Sequence, residues 1–316
     1  MTAYILRRLS LLVPVLLIVG VLVFSLIHLT PGDPAAIIAG EDATTEQIAD
    51  MRERLGLNDP IHIQFFRWFG GVVRLDLGDS IFLRQPVTEA LLDRVQPTGL
   101  LTLYSLTLAI LIAVPAGVIA AVRRNSWVDR ALMVVSISGA AIPTFFFGIL
   151  LILLFAVILR WLPSGGYVDI GEDPIRHVKS MILPALALGF STAGLLARMV
   201  RSTMLDVLRE DYIRTAFAKG LSQKTVVLLH ALRNAAIPAM TVLGVSLANL
   251  LGGSVVVETV LNLPGMGRLV VESVARRDFP VIQGTVMVIA MIQVIVMLLV
   301  DVLYVYVDPR VRYGAD

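Results

Sequence analysis

Six long stretches of the chain contain no acidic or basic charge, and this feature restricts the possible folds more than any other. A helix needs about 20 apolar residues to cross ~30 Å of hydrocarbon at ~1.5 Å per residue. Helices of soluble proteins rarely stay uncharged over that length, and not six times in one chain. The stretches are Leu9–Leu29, Thr98–Val122, Ala131–Leu159, Met181–Ala197, Asn234–Val257 and Val281–Val300.

The composition also indicates an integral membrane protein. Charged residues make up 16% of the chain, below the roughly 25% of soluble domains. The fourth stretch extends to residue 200 if Arg198 reaches the interface, and the last continues past Asp301 to Val307. The first stretch is too long for a signal peptide and no small-x-small cleavage site follows it. We therefore predict an all-α polytopic membrane protein with six transmembrane helices in a single domain, residues 1–316.

Lysine and arginine are distributed unevenly between the loops on the two sides. Thirteen lie on one side and six in the short loops of the other. The segment 30–97 is left out of this comparison, because long loops are translocated largely regardless of charge. Since the more basic side faces the cytoplasm, both termini are predicted to be cytoplasmic. Residues 30–97 are then extracytoplasmic, and residues 201–233 form the longest cytoplasmic loop.

The extracytoplasmic segment 30–97 is too long to lack structure of its own. A helix is predicted from Thr44 or Thr45 to Leu55, with Gln47 placed for a capping box. Further helices are predicted after Pro60 and from Pro86. Two interpretations remain open: a cap that meets a soluble partner, or an insertion packed against the ends of the spans.

The cytoplasmic loop 201–233 has a helical pattern in two parts. Gly220 ends the first helix, and Ser222 can cap a second helix that enters the segment 224–232. The first helix carries the small residues Ala216 and Ala218, which would let another surface approach closely. The loop is therefore either a contact surface for a partner or an ordinary solvated basic loop.

Several classes of enzyme are excluded by missing motifs. The chain has no Gly-x-x-x-x-Gly-Lys-Ser/Thr, His-Glu-x-x-His or Gly-x-Ser-x-Gly sequence, and it has no cysteine. Its four histidines are scattered and form no metal-ligand pattern. We therefore predict that the chain is not an enzyme, binds no metal or cofactor, and draws its energy from a separate cytoplasmic partner.

Few ionisable side chains lie inside the predicted spans. Glu258 is at the outer end of the fifth span, and Asp301 lies near the cytoplasmic end of the sixth. An ion-coupled secondary transporter, the alternative function, usually places carboxylates nearer the midplane. Asp301 is interpreted as a polar packing contact, although a role in ion coupling stays open. For the other polar residues of the spans, two interpretations stay open: they line a water-filled pathway, or they form packing contacts between helices. These residues are Ser136, Ser138, Ser191, Thr192, Ser246 and Asn249.

The stretch from Glu210 to Ser222, followed by the stretch from His230 to Pro238, resembles the coupling loop of bacterial ABC-importer permeases. More narrowly, the chain resembles the first permease subunit of dipeptide, oligopeptide, nickel and glutathione importers. It departs from the general signature at Arg214-Thr215-Ala216, where Glu-Ala-Ala is usual, and at Phe217, where a smaller or polar residue is usual. Further matching stretches are 29–34, 55–57, 76–80, 263–268 and 308–310.

The resemblance implies a type I ABC-importer permease in the bacterial inner membrane. Its partners would be a paralogous permease, two cytoplasmic ATPase subunits that bind ATP and Mg²⁺, and an extracytoplasmic solute-binding protein. The solute would be peptide-like, but the sequence does not choose between dipeptides, oligopeptides, glutathione and nickel chelates. The residues implied in ATPase coupling are Glu210, Asp211, Tyr212, Arg214, Ala216, Phe217, Lys219, Gly220, Leu221 and Ser222.

Overall fold

The structure is a computed structural model that describes residues 2–29, 33–39, 43–54 and 56–307. The described part is helical and contains no β-strand beyond an isolated bridge between Asp79 and Pro86. Its α-helices are α1 (Thr2–Leu29), α2 (Pro34–Ala39), α3 (Thr45–Arg54), α4 (Ile61–Val73), α5 (Val87–Val122), α6 (Trp127–Ala141), α7 (Thr144–Leu151), α8 (Pro174–Val207), α9 (Asp211–Ala218), α10 (Gln223–Thr225), α11 (Leu232–Val260), α12 (Met266–Arg276) and α13 (Phe279–Val307). Two π-helical segments, Ile152–Ile158 and Val226–Ala231, continue α7 and α10.

Among the described residues, five helices are long and apolar enough to cross a membrane, namely α1, α5, α8, α11 and α13. A sixth crossing exists if α6 and the α7 segment form one span, although they meet at an angle of 109°. The predicted fold class, an all-α polytopic membrane protein, is confirmed.

The first of two compact units comprises Met1–Gln96 and Gly265–Ile295. Its core forms where α4, α12, the start of α5 and α13 bring large apolar side chains together. The fully buried members include Val87, Val281 and Met287. The capping box predicted at the start of α3 is present, because Thr44 and Gln47 exchange backbone-to-side-chain hydrogen bonds of 2.8 and 3.3 Å.

The second unit comprises Pro97–Pro264 and Val296–Asp316. Its helices pack closely because glycines lie at their contacts. A Cβ atom added to Gly117 would be 2.7 Å from the carbonyl oxygen of Ala197, and one added to Gly189 would be 2.6 Å from that of Ser105. Small residues at contacts are typical of membrane helices, which associate through close packing rather than through water exclusion.

The third predicted span, 131–159, is not the straight helix that its uncharged run indicated. α6 ends at Ala141, Ile142 is extended with ψ 127°, and α7 begins after Pro143. A residue that precedes proline is driven out of the helical region by the proline ring. The break follows from that restriction, and the absence of charge gave no information about it.

Two helices continue beyond the bounds that the uncharged runs indicated. The helix predicted from Pro86 begins at Val87, but it is not separate from the span at 98–122, because α5 is continuous from Val87 to Val122. The fifth span does not begin a new helix at Asn234, because helical backbone runs on from α10 into α11. Asp93 and Arg94 ended the uncharged run without ending the helix. Thr30–Gly32, Leu55, the stretch 308–310 and the side chain of Asp301 lie outside what the structure describes.

Candidate functional site

The turn after α9 has the hydrogen bonds of a glycine-terminated helix. The Leu221 N–H donates to the Ala216 carbonyl at 3.4 Å, and the Gly220 N–H donates to the Phe217 carbonyl at 2.9 Å. This pair of bonds defines a Schellman motif, which requires a left-handed residue after the helix end. Gly220 supplies it with φ +81°. The predicted role of Gly220 in ending this helix is confirmed.

One face of α9 is buried against the protein's own helices. Ile213 is 1% and Ala216 is 8% exposed, and both belong to a cluster with Val226, Val227 and Ala231 of the π-helical segment. The same cluster contains small and medium residues of α5, α8 and α11. The small size of Ala216 therefore serves close approach within the chain, whereas the sequence suggested close approach of an outside surface.

Next to this buried face, α9 and the following turn expose apolar side chains. Tyr212, Phe217 and Leu221 are 43%, 45% and 39% exposed. The Tyr212 hydroxyl accepts a hydrogen bond of 2.9 Å from the Asn234 amide, which links α9 to α11. Exposed apolar groups of this size on a helix next to a charged loop are typical of a protein contact surface.

The second helix of the segment starts at the predicted cap. The Ser222 hydroxyl accepts from the Thr225 N–H at 3.3 Å, and helical backbone then continues through the π-helical turns into α11. π-Helical turns inside α-helices are frequent at functional sites. The turn at Gly220 and Leu221 therefore joins a short surface helix to a membrane helix with no further loop.

The remaining predicted site residues lie on the exposed surface. Arg214 and Asp211 form a solvent-exposed ion pair at 3.4 Å, and Glu210 and Lys219 are exposed at the two ends of α9. Such a pair contributes little to stability, so these charges are available to a partner. Sequence reasoning missed Ile213 and Asn234. The spacing of Ile213 and Ala216, three residues apart on one helix, was the signal for the buried face.

Glu258, near the end of α11, is fully buried within the second unit and accepts a 2.8 Å hydrogen bond from the Thr98 hydroxyl. Buried carboxylates in the membrane-spanning segments of proteins are usually paired or functional. Among the other polar candidates, Ser136 is buried and its hydroxyl bonds to the Leu132 carbonyl at 2.8 Å. A Cβ on Gly194 would be 2.3 Å from the Ser136 carbonyl oxygen, so Ser136 lies at a helix-packing contact.

The stretch Asp76–Ser80 leads into a turn that binds a buried carboxylate of the first unit. Asp278 is 2% exposed and accepts hydrogen bonds from the Ser80 hydroxyl at 2.5 Å and the Phe82 N–H at 3.1 Å. The Arg276 guanidinium lies 3.6 Å from the centre of the Phe82 ring. Near the start of α2, the Arg52 guanidinium donates to Asp33 at 2.6 Å and holds the pKa of that carboxyl below its usual range.

Within the described ranges, no group of three or more His, Asp or Glu side chains is arranged to hold a metal ion. The described residues thus hold a helix–turn–helix surface at α9 and three buried carboxylates: Glu258 and Asp278, each bonded to a hydroxyl of its own unit, and Asp129, paired with Arg201 at 2.6 Å.

The sequence matches a protein family described as the binding-protein-dependent transport system inner membrane component, over residues 113–313. It also matches the N-terminal membrane component of the same systems over residues 1–102. The chain belongs to this family. It is therefore a multi-pass inner-membrane transport permease and not itself a catalytic enzyme. Permeases of these systems act together with a solute-binding protein and ATPase partners.

Relatives of this permease span its full length. It is similar to a glutathione transport system permease protein of Salmonella paratyphi A, with 47% identity over 99% of this chain and 100% of the relative. It is also similar to a protein of Sinorhizobium fredii named "probable peptide ABC transporter permease", with 44% identity over the same shares. The resemblance to permeases of peptide and glutathione importers is thereby confirmed.

Proposed function

We propose that α9 and the turn through Ser222 receive the motion of an ATPase subunit and pass it to the membrane helices. The observation that carries this proposal is the two-sided packing of α9. Its inner face, Ile213 and Ala216, is buried in the cluster shared with α5, α8 and α11, while Phe217 and Leu221 are exposed. A displaced α9 must displace helices with which it shares a packed core, because packed cores move between discrete arrangements rather than deform continuously.

The whole transporter in this proposal holds one paralogous permease, two ATPase subunits and one extracytoplasmic binding protein. ATP and Mg²⁺ bind to the ATPase subunits, and this chain holds neither. ATP binding draws the ATPase pair together and favours one of two states of the permease pair through differential contacts at α9. The ten residues from Glu210 to Ser222 implied in coupling form this contact region, with Ala216 acting from the buried side.

The proposed topology has six spans with both termini in the cytoplasm. The spans are those predicted, near 9–29, 98–122, 131–159, 181–200, 234–257 and 281–307, with the third bent at Pro143. The segment 30–97 is then extracytoplasmic and the segment 201–233 cytoplasmic. The excess of lysine and arginine on the α9 side supports this orientation.

The proposed solute is peptide-like. Support comes from the names of the relatives, which are glutathione and peptide permeases, and glutathione is itself a tripeptide. A competition assay with the assembled transporter in liposomes, using di-, tri- and pentapeptides and glutathione, identifies the class that the binding protein delivers. Uptake that none of these solutes inhibits would contradict the proposal.

Gly220 offers a sharp test of coupling, because a Cβ built there has no heavy atom within 4 Å. Gly220→Ala introduces only the cost of a left-handed non-glycine residue, about 1 kcal/mol. Gly220→Leu adds bulk at a position where a Cβ meets no heavy atom of this chain within 4 Å, so we attribute any further loss to contact with a partner. We expect Gly220→Leu to abolish ATP-driven uptake and Gly220→Ala to reduce it partly, measured with binding protein in proteoliposomes.

Gly166 is the matched control, since it has φ +94° and equally open surroundings outside the α9 region. Gly166→Leu should transport at the wild-type rate. Equal transport by Gly220→Leu and Gly166→Leu, with equal stimulation of ATP hydrolysis, would refute the coupling role of this turn.

A further inference from the structure

α4 is apolar around nearly its whole circumference. Of its 13 residues, only His62, Gln64 and Arg67 carry polar side chains. A helix on the surface of a soluble region normally has one polar face, and a helix that is apolar all round is buried in protein or in a membrane. One side of α4, which includes Val72, is buried in its own unit, but the other side is exposed, so something else must cover that side.

The contacts of α4 place it alongside the last turns of the membrane-spanning helix α1. Gln64 lies at the end of α1, where its amide oxygen is 3.3 Å from His28. Further along, the Trp68 ring centre is 5.8 Å from that of Phe24, and the Phe69 ring is 3.0 Å from a Cβ built on Gly20. The eight residues between His28 and Gly20 correspond to about 12 Å along a helix axis.

These contacts lie within the apolar window of α1, Leu12–Leu29, which is long enough to cross a membrane. Since α4 runs antiparallel to α1 from His28 to Gly20, its C-terminal half lies deeper in that window than its start. The length of α1 that these contacts cover, about 12 Å, compares with ~15 Å for one hydrocarbon leaflet.

The side of α4 that faces away from α1 is exposed and apolar. Phe66 and Val73 are each 69% exposed, Ile63 is 42% exposed, and a Cβ built on Gly70 has nothing within 4 Å. α1 likewise exposes Ile18 and Leu22, at 61% and 63%. The two neighbouring helices therefore present the same kind of surface over the same span of α1.

Two of the three polar side chains of α4 are directed toward its N-terminal end. Arg67 reaches back to Asp59, ahead of the helix, with a distance of 2.6 Å between nitrogen and oxygen. The Gln64 amide donates to the carbonyls of Leu57 and Asp59 at 3.1 and 2.7 Å. Long polar side chains at a membrane interface extend in this way toward water while their stems stay in the apolar layer.

From this combination we infer that α4 is inserted in the lipid bilayer beside the C-terminal half of α1, with Ile63, Phe66 and Val73 against lipid acyl chains. In the orientation proposed above, this is the leaflet on the non-cytoplasmic side. Part of the segment 30–97 is then a membrane element, and the helices on either side of it are tied to the membrane surface.

The absence of native cysteine makes single-cysteine labelling a direct test. Phe66→Cys and Val73→Cys report on the exposed face, Ile18→Cys is the lipid-facing control on α1, and Glu46→Cys on α3 is the water-facing control. The whole transporter, with cysteine-free partner subunits, is reconstituted in nanodiscs. A thiol in hydrocarbon has little thiolate, so the α4 cysteines should react with a membrane-impermeant maleimide about tenfold more slowly than Glu46→Cys.

The same positions labelled with bimane give the second measurement. Lipids with a nitroxide on the acyl chain should quench the α4 labels as strongly as the label on Ile18→Cys, and a deep nitroxide should quench Val73→Cys more than Phe66→Cys. Fast maleimide reaction at Phe66→Cys would overturn the inference in favour of an aqueous surface. Slow reaction without lipid quenching would overturn it in favour of cover by a partner protein. Val73→Cys decides the outcome if Phe66→Cys does not assemble.

Discussion

Asp278 shows how a single side chain fixes the conformation of a distant turn. It is separated from Ser80 by 198 positions, yet it accepts from that hydroxyl and from two backbone N–H groups of the turn. A buried carboxylate needs such partners, because an unsatisfied buried charge costs several kcal/mol. These hydrogen bonds therefore hold the turn 79–86 against the end of α12.

Ser80→Ala removes the hydroxyl donor and leaves part of the Asp278 carboxylate unsatisfied. We expect a loss of about 1.5–3 kcal/mol in stability, the range for hydrogen bonds to charged groups. Thermal unfolding of the purified transporter, followed by tryptophan fluorescence, measures it. Asp79→Ala, at the exposed neighbour, is the control and should change the midpoint little. Equal midpoints for both variants would show that the Ser80–Asp278 bond carries no stability.

Residue roles that depend on local backbone were predictable, and those that depend on distant partners were not. Gly220 and Ser222 act within a few residues of themselves, through a left-handed turn and a helix cap, so their spacing was sufficient. The partner of Asp278 is set by the tertiary fold, and nothing in the sequence near either residue marks it. Ala216 was recognised as small. The sequence did not show that its side chain faces the protein's own core, because that depends on which face of α9 is buried.

At the scale of elements, α6 and α8 are held together by backbone-to-backbone proximity. A Cβ on Gly194 would be 2.3 Å from the Ser136 carbonyl oxygen, and one on Gly139 would be 3.0 Å from that of Phe190. The close contact between α6 and α8 is thus possible because each helix has a glycine there. Such contacts tolerate no additional atom without separation of the helices.

Gly194→Ala should therefore destabilise the protein by about 1–3 kcal/mol through overpacking. Gly99→Ala in α5 is the matched control, because its Cβ would meet nothing within 4 Å. That variant should be neutral or stabilised by up to about 1 kcal/mol, the difference in helix propensity. The amount of monodisperse transporter after heating, measured by size-exclusion chromatography, compares the two. A Gly194→Ala transporter as heat-resistant as Gly99→Ala would contradict the packing argument.

The uncharged runs predicted which segments form long apolar helices. A segment that crosses hydrocarbon must satisfy its own backbone hydrogen bonds, and this leaves few alternatives to a helix. They did not predict helix ends. Charge is tolerated at the ends of a helix, as at Asp93 and Arg94 in α5, and a direction change such as that at Pro143 needs no charge. The amphipathic helix α12 was missed, because it is short and lies between two spans.

For the whole molecule, the number of crossings depends on whether α6 and the α7 segment form one bent span or a re-entrant loop. The two possibilities differ in which side of the membrane holds the segment between α7 and α8. A bent span puts Arg124 and Glu172, which are both exposed, on opposite sides. A re-entrant loop puts them on the same side.

Accessibility in intact cells distinguishes these topologies. With the proposed six spans, Glu172→Cys should react with an impermeant maleimide from outside, whereas Arg124→Cys and Gln223→Cys should react only after the membrane is permeabilised. If Glu172→Cys, like Arg124→Cys, reacts only after permeabilisation, the loop is re-entrant, and Gln223→Cys then reacts in intact cells. Reaction of Arg124→Cys in intact cells would reverse the proposed orientation.

The uninterrupted helical backbone from Gln223 through α11 has a mechanical consequence. It is on the order of 55 Å long at ~1.5 Å per residue, and it leads from the Ser222 cap toward the buried Glu258. A helix of that length converts a tilt of a few degrees at one end into a shift of several ångströms at the other, and it can bend at Pro238 and at its π-helical turns. The two-residue joint at Gly220 and Leu221, which attaches it to the shorter helix before it, is a further point of bending.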